Sequence, residues 1–133
     1  MKKIALLLIA LISALHFYIA WFEIFAWTTT GPRVFKTLPP ELFEQTVAMA
    51  ANQGIYNAFL AVGLLWSLLI RDPKWQRHVA TCFLGFVIVA GIVAAMTVAL
   101  RPGLMQIVPA SIALVLLYLG AGRSSSARQT SAG

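Results

Sequence analysis

The sequence predicts an all-α membrane protein, a transmembrane four-helix up-down bundle with both termini cytosolic. Three observations lead there. Across 133 positions, 60% of the residues are hydrophobic and 11% charged, where soluble domains carry about 25% charged residues. The apolar residues fall in long blocks instead of alternating with polar ones, as a lipid-facing surface requires. Lysine and arginine gather in alternate connections, which sets an orientation.

A membrane helix needs roughly 20 mostly apolar residues, rising about 1.5 Å each, to cross a core of about 30 Å. Four stretches qualify: 4–27, 54–70, 79–100 and 104–122. The first follows Lys2 and Lys3, a start shared with signal peptides. Its apolar run continues past Leu15, and Ile12-Ser13-Ala14 is a poor cleavage site, so it reads as a retained anchor. The second is short alone. Upstream of it, Pro39-Pro40-Glu41 makes a helix start, with proline in the first turn and Glu41 and Glu44 near the positive end. Either the second helix begins near Pro40 and stands proud of the membrane, or a separate interfacial helix precedes it.

Arg71-Asp72-Pro73 opens a short connection from the second stretch to the third. Arg101-Pro102-Gly103 reads as a tight turn that makes the third and fourth an antiparallel hairpin. In the third, Gly91 with Ala95 and Ala90 with Ala94 are small-xxx-small pairs that allow close helix contact. Residues 1–122 thus form one transmembrane domain. The segment 123–133, rich in Ser, Ala and Gly, is expected to be a disordered cytosolic tail.

Seven lysines and arginines (Lys2, Lys3, Arg71, Lys74, Arg77, Arg123, Arg128) fall on one side of this topology and three (Arg33, Lys36, Arg101) on the other. The richer side is cytosolic by the positive-inside rule, so the protein is expected in the cell (inner or plasma) membrane with both ends inside. Trp21 and Trp27 then lie towards the outer interface, and Trp66, Trp75 and Tyr118 towards the inner one. The net charge of +6 is accounted for by loops touching anionic headgroups. No basic run with interleaved aromatics points to nucleic acid. Cys82 is a lone cysteine inside an apolar block, with no CxxC or Cys/His pattern. Neither a metal site nor a cofactor is expected, and the lipid bilayer is the expected partner, with a second copy of the chain as a further candidate.

An ionisable side chain within a span costs about 2.5–3.5 kcal/mol on insertion scales. Between Ile4 and Phe22 the first span carries eleven Leu, Ile or Phe residues, which at about 0.3–0.6 kcal/mol each offset roughly 3–7 kcal/mol. Insertion is therefore feasible, but it does not explain why Glu23 is there. At about 100° per residue, His16, Ala20, Glu23 and Trp27 share one stripe, with Ser13 beside it. That stripe should face other helices. His16 and Glu23 lie about 10 Å apart along the axis, too far for a direct hydrogen bond.

With both termini inside, Glu23, Asn52, Gln53, Tyr56, Asn57, Thr97 and Gln106 all fall in the outer half, and His16 near the middle. The inner half holds almost only Leu, Val, Ile and Ala. These positions suggest a polar chamber open to the outside above an apolar floor. Glu23 and His16 are the candidate catalytic pair. Asn52, Gln53, Tyr56, Asn57, Thr97, Gln106 and Trp27 are candidate ligand-binding residues. Each also has a plain structural reading: Glu23 reaching headgroup water or pairing with Arg33 or Arg101, the amides as interhelical glue, Tyr56 as packing, Thr97 bonding its own helix's carbonyl.

The stretch His16…Glu23…Trp27, the run Asn52-Gln53-Gly54-Ile55-Tyr56-Asn57-Ala58-Phe59-Leu60-Ala61-Val62-Gly63-Leu64 and the later Gln106-x-x-Pro109-Ala110 resemble one family of short bacterial and fungal membrane proteins, domain of unknown function 1304. The resemblance implies a four-span fold and functional weight at these polar positions, and it brings no activity.

Three functions remain open. The first is binding of a small amphipathic or lipid-like molecule from the outer leaflet, with Glu23 and His16 moving a proton. Isomerisation is then the reaction best suited to an inventory lacking a nucleophile–base pair, an HExxH motif or a phosphate loop. The second is a proton-coupled exporter acting as a dimer, which Glu23 fits loosely because it lies near the interface and the inner half offers no polar path. The third is an accessory subunit without chemistry.

Overall fold

The computed structural model describes residues 1–36 and 38–130, and it is helical, with no strand among the described residues. The order is α1 (Lys2–Phe25), α2 (Trp27–Val34), α3 (Glu41–Gln45), α4 (Val47–Leu69), α5 (Pro73–Thr97) and α6 (Leu100–Thr130). Among the described residues, four segments are long and apolar enough to cross a bilayer: Lys2–Phe25, Val47–Leu69, Pro73–Thr97 and Leu100–Gly120. α6 runs on into the 123–133 segment, of which residues 131–133 lie outside the described residues.

Local chemistry explains where the helices break. α1 stops at Phe25 because Ala26 turns to φ −124°, ψ 12°, and Trp27 opens α2 instead of closing the first span. α2 ends where Phe35 N–H donates to the Gly31 carbonyl. Of the two readings of Pro39-Pro40-Glu41, a separate short helix is the one found: Pro40 caps α3, and Glu41 and Glu44 lie in its first turn. Thr46 divides α3 from α4. Its hydroxyl donates to the Leu42 carbonyl at 2.6 Å, the kind of side-chain bond that competes with helix continuation. α4 consequently begins at Val47, ahead of the apolar stretch 54–70.

α5 also starts earlier than hydropathy suggests. Asp72 is extended (φ −69°, ψ 120°), its carboxylate accepts from Trp75 N–H at 2.7 Å, and Pro73 takes the first helical position. Both are favoured arrangements at a helix start, so the polar Lys74–His78 run is helical and is not a loop. Asp72→Ala is expected to cost about 1 kcal/mol, read as a lowered thermal midpoint in detergent, with Asp72→Asn recovering most of it.

Arg101-Pro102-Gly103 is not the turn. The connection lies at Val98–Ala99, where Val98 and Ala99 N–H groups both donate to the Ala94 carbonyl. Arg101, Pro102 and Gly103 form the first turn of α6, where a missing proline N–H breaks no intrahelical bond.

The described chain divides into two compact units, Ser13–Val62 and Met1–Ile12 together with the residues from Gly63 onward. In the latter, α5 and α6 form an antiparallel hairpin with Ala95 against Gly103 and Thr81 against Tyr118. A Cβ on Gly103 would sit 2.5 Å from Ala95 Cβ and 2.5 Å from the Gly91 carbonyl oxygen, so the backbones touch. Gly91 likewise faces Ile107, Gln106 and Gly103. Lower on α4, Gly63 receives the Phe83 ring.

Candidate functional site

The Ser13–Val62 unit holds most of the residues singled out from the sequence. On α1, Ser13, His16 and Ala20 are buried and Glu23 is half-buried, so the small and polar stripe is the face turned inward. α4 meets that face. Ser13 Oγ donates to the Ala61 carbonyl at 2.8 Å. A turn and more away, Gly54 brings the two backbones together: a Cβ there would lie 3.1 Å from the Ala20 carbonyl oxygen and 3.2 Å from Glu23 Cβ. A side chain there would also meet Ile24 Cγ1 at 2.7 Å, so glycine suits this close approach.

The close approach sets up the central contact. Asn57 Nδ2 donates to Glu23 Oε2 at 2.7 Å, a short bond typical of a charged acceptor. The partner of this carboxylate is an amide, not the Arg33 guanidinium, which is exposed. A carboxylate offers about four lone-pair positions, so one amide leaves it with acceptor capacity. Glu23 also lies in the last turn of α1, where the helix carbonyls point onward and no basic residue balances them.

Trp27 does a different job from the one its stripe suggested. Its Nε1 donates to Thr46 Oγ1 at 2.9 Å, and its ring lies 5.2 Å from Phe43, 5.8 Å from Phe35 and 5.8 Å from Phe22. Phe43 is almost wholly buried, with its ring against Gly31. This aromatic cluster ties α2 and α3 to the end of α1 beside Glu23. Phe35, Phe43, Gly31 and Thr46 carried no periodic or motif signal and were missed. Thr46 at a helix break is the one position that turn chemistry could have flagged.

The other candidates are dispersed. Asn52, Gln53 and Tyr56 are exposed on α4, with Tyr56 edge-on to Phe59 at 6.2 Å. Gln53 lends its carbonyl to a long 3.4 Å contact from Asn57 Nδ2. Thr97 and Gln106 belong to the other unit. The Thr97 hydroxyl donates to its own helix's Val93 carbonyl at 2.8 Å, and Gln106 packs by its Cβ at Gly91. Among the described residues no group of three or more His, Cys, Asp or Glu side chains could hold a metal ion.

Comparison with known proteins adds one positive finding. The sequence model of a family described as protein of unknown function (DUF1304) matches residues 10–118. No curated protein and no solved structure matches the chain.

Proposed function

The chain belongs to the DUF1304 family of proteins of unknown function, and from that footing we propose that it is a receptor in the cell membrane for a small amphipathic molecule. In this reading the protein spans the bilayer four times as an up-down bundle with both termini cytosolic. The ligand's polar end meets Glu23 and Asn57 from the outer leaflet, while its apolar part stays among lipid and the span surfaces. The observation that carries the reading is the 2.7 Å bond from Asn57 Nδ2 to Glu23 Oε2: it orients a carboxylate inside a span without neutralising it.

The Glu23 carboxylate keeps acceptor positions beyond the one that Asn57 fills, so the ligand's head is read as a donor to it, a hydroxyl or an amine. Asn52, Gln53 and Tyr56, further around α4, are assigned to its outer contacts. His16, two stripe positions deeper, is assigned to a proton-relay role should the ligand be converted. Any conversion is then proton transfer, the chemistry that a carboxylate and an imidazole supply without further groups.

The test compares the small molecules that co-purify with wild-type protein and with Glu23→Gln, extracted and identified by mass spectrometry. One amphipathic species is expected at near-stoichiometric level with wild type and at a tenth of that or less with the variant. Losing a charge-assisted bond of about 1.5–3 kcal/mol corresponds to that change. Identical extracts would leave the Glu23–Asn57 bond a structural tie between α1 and α4, the role of an accessory subunit.

A further inference from the structure

A second candidate site lies within the unit that contains the α5–α6 hairpin. A shallow, open groove of about 530 Å³ lies along α6 beside Thr81 of α5, lined by Thr81, Leu114, Val115, Tyr118 and Leu119. Its floor is aliphatic, and its polar atoms are concentrated at one end. There, Thr81 Oγ1 donates to Tyr118 Oη at 3.3 Å, and the Arg77 guanidinium stands 5.7 Å from the centre of the Tyr118 ring. Lys74, Arg77 and Thr81 follow one another at one-turn intervals along the same face of α5.

Depth and charge agree with this polarity. Tyr118 lies two residues before the end of the apolar segment Leu100–Gly120, and Arg77 lies in the opening turns of α5. Both therefore stand at headgroup level, and the groove descends from them towards the hydrocarbon. Lys2 packs at Gly120, which brings the Lys2–Lys3 pair to the same end, where Arg71 is exposed as well. The nearby acid, Asp72, is committed to the Trp75 N–H as a helix cap.

We propose that this groove holds one acyl chain of an anionic phospholipid, whose phosphate is received by Arg77 with Lys74 beside it and the Thr81–Tyr118 hydroxyls beneath. A zwitterionic lipid offers the same chain but no net charge to meet these cations. A free phosphate offers the charge but leaves the groove unfilled. The occupant that satisfies both halves carries a net negative headgroup on a hydrocarbon chain. This assignment does not depend on Glu23 or Asn57.

The test titrates the full chain, in a non-ionic detergent, with phosphatidylglycerol and with phosphatidylcholine of identical acyl chains, reading binding by native mass spectrometry. Phosphatidylglycerol is expected to bind at least about fivefold more tightly, the effect of one interfacial cation, and Arg77→Gln should remove that preference. Val115→Trp, which fills the groove from an exposed position, should weaken both lipids without changing helicity. Glycerophosphoglycerol, the headgroup without chains, and inorganic phosphate serve as wild-type controls that need no variant, and neither should bind appreciably. Equal binding of the two lipids, a preference that survives Arg77→Gln, or phosphate binding as tightly as the lipid would each overturn the proposal.

Discussion

Replacing Gly103 by leucine is expected to destabilise the protein by about 3 kcal/mol or more. Forcing extra atoms into a packed interface costs about 1–3 kcal/mol where side chains can adjust. Here the obstacles are the Gly91 carbonyl oxygen and Ala95 Cβ, each 2.5 Å from where a Cβ on Gly103 would be, and no rotamer change moves a backbone. α5 and α6 would have to separate over at least a turn, opening the Val98–Ala99 connection. Gly85, on the partner helix α5, is the control. A Cβ there meets nothing within 4 Å, so Gly85→Leu should change stability by less than about 0.5 kcal/mol, the usual range for unconstrained positions. Thermal unfolding in one detergent would compare them, and coincident midpoints would show that the hairpin is not packed through Gly103.

The second large effect concerns the Glu23–Asn57 bond. Asn57→Leu removes the donor and leaves a half-buried carboxylate to find another partner. Hydrogen bonds to charged groups contribute about 1.5–3 kcal/mol in soluble proteins, while interhelical bonds in membranes average about 0.6 and reach about 1.7 kcal/mol. A loss of about 1–2 kcal/mol is expected for Asn57→Leu. Removing both partners in Glu23→Leu/Asn57→Leu should cost less than the sum of the single changes, because no polar group is then stranded. A coupling of at least about 0.5 kcal/mol is the signature, and strict additivity would mean that the two side chains do not interact. Glu23→Gln keeps an acceptor for Asn57, so it should preserve stability while losing the ligand. That contrast separates a binding carboxylate from a structural one.

The four apolar segments were legible because bilayer thickness and helix rise dictate their length, whatever the surroundings. The inward stripe Ser13, His16, Ala20 and Glu23 was legible for a similar reason: 100° per residue is a property of the helix itself. Partnership was not. Asn57 lies 34 positions from Glu23, and nothing in either local pattern says which amide of α4 reaches the carboxylate. The decisive residue is Gly54, whose missing side chain lets α4 approach.

Boundaries failed where tertiary packing or turn chemistry overrode hydropathy. The run Phe22–Trp27 holds no glycine or proline, and Glu23 is its one charged residue, yet α1 ends at Phe25 as Trp27 turns to pack on Phe22, Phe35 and Phe43. Proline and glycine at 102 and 103 suggested a turn. Proline is equally at home in a helix's first turn, and Gly103 serves the contact with α5 instead. Asp72-Pro73 was read as opening a connection, whereas it caps α5, and polarity disguised how far that helix extends beyond the apolar core.

The most direct measurement is an experimental structure in lipid nanodiscs, inspected around Glu23 on α1 and Asn57 on α4. An elongated density is expected there, its polar tip within about 2.7–3.2 Å of the Glu23 carboxylate and its tail among the spans. A Glu23 side chain turned away from Asn57 towards bulk acyl chains, with no density beside it, would contradict the account.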